Sequence, residues 1–143
     1  MKWIPIFDIK NSGYYVGIDE NGNWYSDTAE GLKSIKENGG IGVLPILEKT
    51  RENFNLYLTK KISQSNIEFD VETSDLIINI INLSFDVSTY WAELGIEWLN
   101  ENEINSNLKN KLNKLIETKQ YSQKFRQKSF EKIKKHEQTN INI

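Results

Sequence analysis

The stretch from Thr73 to Leu99, TSDLIINIINLSFDVSTYWAELGIEWL, constrains the fold of this chain more than any other. Leu76, Ile77, Ile78, Ile80, Ile81, Leu83 and Phe85 crowd its first half and point in nearly every direction of a helical wheel. A helix that is apolar almost all round belongs in an interior. From Ser88 the pattern changes: Trp91, Leu94, Gly95 and Trp98 fall on one helical face, and Glu93, Glu97 and Glu101 form a stripe on another. The stretch therefore predicts a central helical hairpin, one arm buried and the other half exposed. The β-branched content of the Ile-rich half fits a buried strand as an alternative. Trp91 and Trp98 lie two turns apart on one face, so both are expected to be structural, with Gly95 between them admitting a second helix at close range.

The segments before this stretch read mainly as strands. Trp3–Ile9 is β-rich, with Pro5 suited to a sheet edge or a strand start. Asn11-Ser12-Gly13 is a turn signal, and Tyr14–Ile18 a second strand. Asn21-Gly22 before Trp24-Tyr25 predicts a type I′ hairpin, which needs positive φ at both central residues. Asp27 or Thr28 is placed to cap a short helix through about Glu37, stopped by Asn38-Gly39-Gly40. Ile41–Leu47 is a strand or a buried loop, with Pro45 against a central strand position. Arg51–Ile62 reads as a helix, with strand as the alternative for FNLYL. Beyond the central hairpin, Leu108, Leu112, Leu115 and Ile116 set the face of one helix. Tyr121, Phe125, Phe130 and Ile133 set that of a second, capped by Ser122, and the end frays from about Gln138. The expected architecture is a single α+β domain: strand-rich over 1–47, helical over 50–137, with a frayed tail at 138–143.

Charge is distributed unevenly. Residues 1–104 hold 17 acids against 8 bases, a net of −9, and residues 105–143 hold 3 acids against 10 bases, a net of +7. Between Lys61 and Lys109 there is no basic residue, yet there are nine acids. Such asymmetry points to a charged partner or to pairing between the halves. There is no cysteine, so neither a disulfide framework nor a thiolate metal site is available. No apolar run reaches the roughly 18 residues of a membrane span, and the apolar part of MKWIPIFDIK, interrupted by Asp8, is short for a secretory leader, so a cytoplasmic address is expected.

Each cluster that resembles a catalytic site has a plainer explanation. His136 is the lone histidine, in a basic helix with no acidic or nucleophilic companion, and reads as a surface residue. Asp19, Asn21, Asn23, Asp27 and Glu30 follow the oxygen-ligand spacing of a calcium loop, but Trp24 stands where that loop turns on glycine, so a hairpin is preferred. Gly39-Gly40-x-Gly42 lacks the lysine of a phosphate-binding loop. Glu93 and Glu97 offer paired carboxylates for a hydrolase, with no nucleophile or metal ligand beside them. Like charges spaced four apart on a helix repel by a few tenths of a kcal/mol, so a counter-charge is expected, either in the basic C-terminal helices or on a partner. The lysines from Lys109 to Lys135 offer phosphate contacts, and nucleic-acid binding or a regulatory role through these helices is the alternative function. Their spread around the helices and the acidic body favour a solvated, internally paired face. No cofactor or metal is expected.

At YWAELGIEWL (Tyr90–Leu99), SQKFRQKSFEKIKK (Ser122–Lys135) and, in style, GIDENGNWYSDTAEGL (Gly17–Leu32), the chain resembles small bacterial immunity proteins of polymorphic and contact-dependent growth inhibition toxin systems. The resemblance implies a non-catalytic cytoplasmic protein that covers the active site of a cognate toxin domain, nucleases being one class of such domains and commonly basic. An acidic, aromatic surface suits such a partner. Two surfaces qualify: the hairpin residues Asp19, Glu20, Asn21, Trp24, Tyr25 and Asp27, ranked first for their aromatics, and the stripe Glu93, Glu97, Glu101.

Overall fold

Alternating apolar and small residues set the first layer. In the computed structural model, which describes residues 1–37 and 40–141, four strands form an antiparallel meander in the order β1-β2-β3-β4: β1 Ile4–Asp8, β2 Tyr15–Ile18, β3 Trp24–Thr28 and β4 Gly31–Ser34. Val16 pairs with Ser26 and Ile18 with Trp24, and all four side chains are buried on one face. Their neighbours Tyr15, Tyr25 and Asp27 lie on the other face, exposed or half-buried, as period-two alternation requires. Pro5 sits on the edge strand β1, where its missing N–H is harmless. The β1–β2 register shifts between Pro5 and Phe7, a bulge beside Gly17. An alanine Cβ at Gly17 would lie 2.2 Å from the Ile4 carbonyl oxygen and 2.8 Å from Pro5 Cα.

Two of the expected turns are corrected. The β2–β3 connection is not type I′: Gly22 (φ +83°) takes the left-handed conformation and Asn21 does not. The Gly22 N–H donates to the Asp19 carbonyl at 3.1 Å, and the Asp19 N–H to that of Asn23 at 3.0 Å. This is a three-residue loop in which glycine ends the turn. The helix expected from Asp27 or Thr28 to Glu37 is instead the β3–β4 hairpin. Thr28 Oγ1 accepts from the Glu30 N–H at 3.1 Å and donates to the Gly31 carbonyl at 2.7 Å. A threonine that caps a helix and one that closes a turn make the same local bond, so the sequence signal is shared. Asn38 and Gly39 of the expected stop lie outside the described residues.

Ile41–Glu48 is neither strand nor loop but a 3₁₀ helix with Pro45 inside it. Proline has no donor for a sheet ladder, and Val43, Leu44, Ile46 and Leu47 are buried from this geometry. Beyond the misplaced helix at Thr28, five α-helices were expected, the two arms of the central hairpin among them, and five are present. α1 (Arg51–Gln64) is capped by Thr50, whose hydroxyl accepts from Asn53 N–H at 3.1 Å. It buries Phe54 and Leu58, and Phe7 meets Phe54 edge-on at 5.7 Å; Leu56 points outward, 68% exposed. The Ile-rich stretch is helical, not a strand: α2 is Ser74–Val87 and α3 Thr89–Trp98. A single 3₁₀ turn, Glu101–Glu103, leads to α4 (Ser106–Ile116) and α5 (Gln123–Ile141). The fold is α+β. The chain divides into two compact units, Met1–Leu83 and Ser84 onward, with the boundary inside α2.

The second unit has its own core of Phe85, Ala92, Ile96, Trp98, Leu99, Leu108, Leu112 and Phe125. Phe125 stacks on Tyr121 at 4.9 Å and meets Phe85 edge-on at 6.3 Å. Gly95 packs against Ser84 so closely that a Cβ there would lie 2.0 Å from Ser84 Oγ. Ser122 caps α5 by accepting from Phe125 N–H at 3.1 Å. The buried line of α5 runs Phe125, Ser129, Ile133, one step away from Phe130, which is 57% exposed and not core as expected. α5 runs past Gln138 to Ile141, and residues 142 and 143 lie outside the described residues. Ser129 is wholly buried, and its hydroxyl has no hydrogen-bond partner among the described residues. Ser129→Ala removes that desolvated hydroxyl, so it is expected to stabilise the protein by about 1 kcal/mol in urea unfolding. A destabilised variant would show that the hydroxyl is satisfied in solution.

Candidate functional site

The turn between β2 and β3 is fixed from within. Asp19, only 6% exposed, accepts from the backbone N–H groups of Asn21 and Asn23, both at 2.9 Å, and from Asn23 Nδ2 at 3.1 Å. Burial works to raise its carboxyl pKa. The hydrogen bonds from the Asn23 side chain and from the backbones of Asn23, Asn21 and Gly22 outweigh that and hold it below the ordinary carboxylate value. Trp24 faces the core at 5% exposure, and its indole Nε1–H donates to the Glu72 carbonyl at 2.7 Å. These two members of the expected partner surface are thus structural: one ties the turn, the other anchors a distant loop. Tyr25 and Asp27 are half-buried on the opposite face of β3, and Glu20 and Asn21 are exposed at the tip.

Because the folded pKa of Asp19 is depressed, its charge stabilises the fold above the unfolded value, near 3.9. That contribution disappears as pH falls through the lower, folded value. Wild type is therefore expected to lose stability steeply below about pH 4, and Asp19→Asn to be less stable at pH 7 with a flatter acid limb. Parallel acid limbs for the two proteins would exclude Asp19 as the group responsible.

The tryptophan anchor draws the segment 66–73 to the hairpin. Phe69, 41% exposed, lies beside the tip: its Cε2 is 3.5 Å from where a Gly22 Cβ would stand. Asn66 turns the chain into this segment with φ +54°. Glu68 and Asp70 flank Phe69 and are exposed. Glu72 follows, its carboxyl held low by the Ser74 hydroxyl and backbone N–H at the start of α2. Asp75 is paired with Lys36 at 3.2 Å. Exposed Phe69 thus lies beside the hairpin tip, between Glu68 and Asp70, the first two acids of the base-free run. Sequence reasoning counted these acids but did not place Phe69, Glu68 or Asp70 in a site. The available signal was an aromatic between two acids in a stretch with no helical or strand period.

The glutamate stripe is differently placed. Glu97 is engaged by Lys128, Glu93 is exposed, and Glu101, half-buried, offers its carbonyl to His136 Nδ1 at 3.0 Å. Lys132 donates to the Leu99 carbonyl where α3 ends, a favourable place for a cation. Lys111 meets Asp86 and Lys109 meets Glu137, both at 2.8 Å. Within the stripe Lys128 thus answers Glu97, while Lys111, Lys109 and Lys132 meet Asp86, Glu137 and the Leu99 carbonyl. Among the described residues no three His, Cys, Asp or Glu side chains are grouped to hold a metal, and no helix is long and apolar enough to cross a membrane. No family model matches the chain, and no curated protein or solved structure shows significant similarity to it.

Proposed function

We propose that this chain is a binding protein that neutralises a basic protein partner by covering its working surface, in the manner of an immunity protein and its toxin domain. The observation that supports this is exposed Phe69 beside the β2–β3 tip, with the exposed carboxylates of Glu68 and Asp70 on either side of it in sequence and Glu20 exposed at the tip itself. Acidic groups steer a basic partner toward the surface, and an exposed aromatic supplies area that stays buried once contact is made. The tip is held by Asp19 and Trp24, so little ordering accompanies binding. The engaged lysines on α4 and α5 speak against nucleic acid as the ligand, and the engagement of Glu97 against a hydrolase built on the stripe.

The test uses the protein encoded by the adjacent gene as candidate partner. Glu68→Lys with Asp70→Lys is expected to weaken binding by about tenfold or more at low salt, mainly through slower association, while Glu93→Lys with Glu97→Lys has a smaller effect. Glu20→Lys belongs with the first set; Asp19 is left intact because its substitution would disturb the turn. If the stripe variant alone loses binding, the surface is wrongly placed. If the neighbour neither binds nor is inhibited in cells, the reading itself fails.

A further inference from the structure

The end of the sheet opposite the acidic tip, where the β1–β2 and β3–β4 turns lie, holds a cleft of about 430 Å³ between the inner sheet face and the 3₁₀ helix. That volume is in the range of small-molecule sites. One wall is apolar: Ile9 and Val43 at its base, with Tyr14, Ile41 and Pro45 toward the opening. At the other, Gly40, Ile41 and Gly42 bring the first turn of the 3₁₀ helix to the cleft, and Gly40 has no side chain with which to cap it. N–H groups at a helix start favour an anion. Lys10 and Lys33 line the same cleft from either side.

We propose that this cleft binds small amphipathic carboxylates, the apolar body against Ile9, Tyr14, Val43 and Pro45 and the carboxylate toward the Gly40–Gly42 turn and Lys33. Two acids at the rim bear on this. Glu30 holds Lys33 at 3.0 Å, but both side chains are largely exposed, and an exposed ion pair of this kind is readily exchanged for another carboxylate. Asp27 reaches the rim, but its strand position alternates with those of Ser26 and Thr28, which turn to the inner face. Lys10 is balanced by Glu48 and contributes less than Lys33.

The test is calorimetric titration of the full chain with decanoate below its micelle concentration, with decanol as the uncharged comparison. Saturable one-to-one binding of decanoate is expected, with decanol at least about tenfold weaker. Lys33→Glu is expected to weaken decanoate by a similar factor. Ile41→Asp, at a position 65% exposed and so compatible with folding, should abolish binding by placing a carboxylate on the apolar wall. Circular dichroism melts confirm that both variants fold. No saturable binding to wild type, equal affinity for decanoate and decanol, or unchanged affinity in both folded variants would each overturn the proposal. The experiment involves no protein partner, so its outcome is separate from that of the acidic surface.

Discussion

Gly17→Ala is expected to destabilise the protein by about 3 kcal/mol or more, because the added carbon meets main chain and not a yielding side chain. The Ile4 carbonyl oxygen at 2.2 Å and Pro5 Cα at 2.8 Å belong to β1, so that strand must shift as a whole. Phe7, 2% exposed and in ring contact with Phe54 and Tyr57, moves with it. The effect should appear as a melting temperature lowered by on the order of 10 °C or more. Gly42→Ala is the control, since nothing lies within 4 Å of a Cβ there. Equal melting temperatures for the two variants would mean that β1 does not lie over Gly17 in solution.

Trp98→Ala is expected to cost about 3–5 kcal/mol, the usual loss for deleting a buried large aromatic. Trp98 is 3% exposed in the second unit, and Ala92, Gly95 and Ile96 of the same helix are buried with it. Trp91, only half-buried, should cost distinctly less when truncated. Against a total stability of 5–15 kcal/mol, loss of Trp98 leaves little reserve. Urea unfolding followed by circular dichroism measures both; a Trp98→Ala midpoint equal to wild type would place this side chain at the surface.

The helical half was legible because its signals are local. Continuous apolarity over Leu76–Phe85, the face shared by Gly95 and Trp98, and the Ser122 cap each act within a few residues, and the structure follows them. The failures lie where one local signal serves two geometries or where a distant group decides. Thr28 closes a turn with the bond that would have capped a helix. Pro45 excluded a central strand but did not distinguish a loop from a 3₁₀ helix. Trp24 looked like a binding aromatic because its partner, the Glu72 carbonyl, lies 48 residues away. Asp19 looked like a free surface acid because backbone donors leave no mark in sequence. The same long-range bond that withdraws Trp24 brings the segment bearing Phe69 to the hairpin, so the candidate surface was illegible for the reason that part of the core was.

The strand order has a consequence for how the chain acquires its structure. Every strand pairs with its sequence neighbours, through connections of a few residues, so each closure links nearby points and no long loop has to be ordered first. Sheets of this kind have low contact order and fold quickly for β structure. All four strands have left the ribosome once Ser34 has emerged, but Phe54, whose ring meets Phe7 of β1, comes from α1, some twenty residues later. Synthesis at about 5–20 residues per second separates the two events by a second or more. During that interval Phe7 has no Phe54 to pack against, and the apolar face it shares with Val16 and Ile18 is open to aggregation.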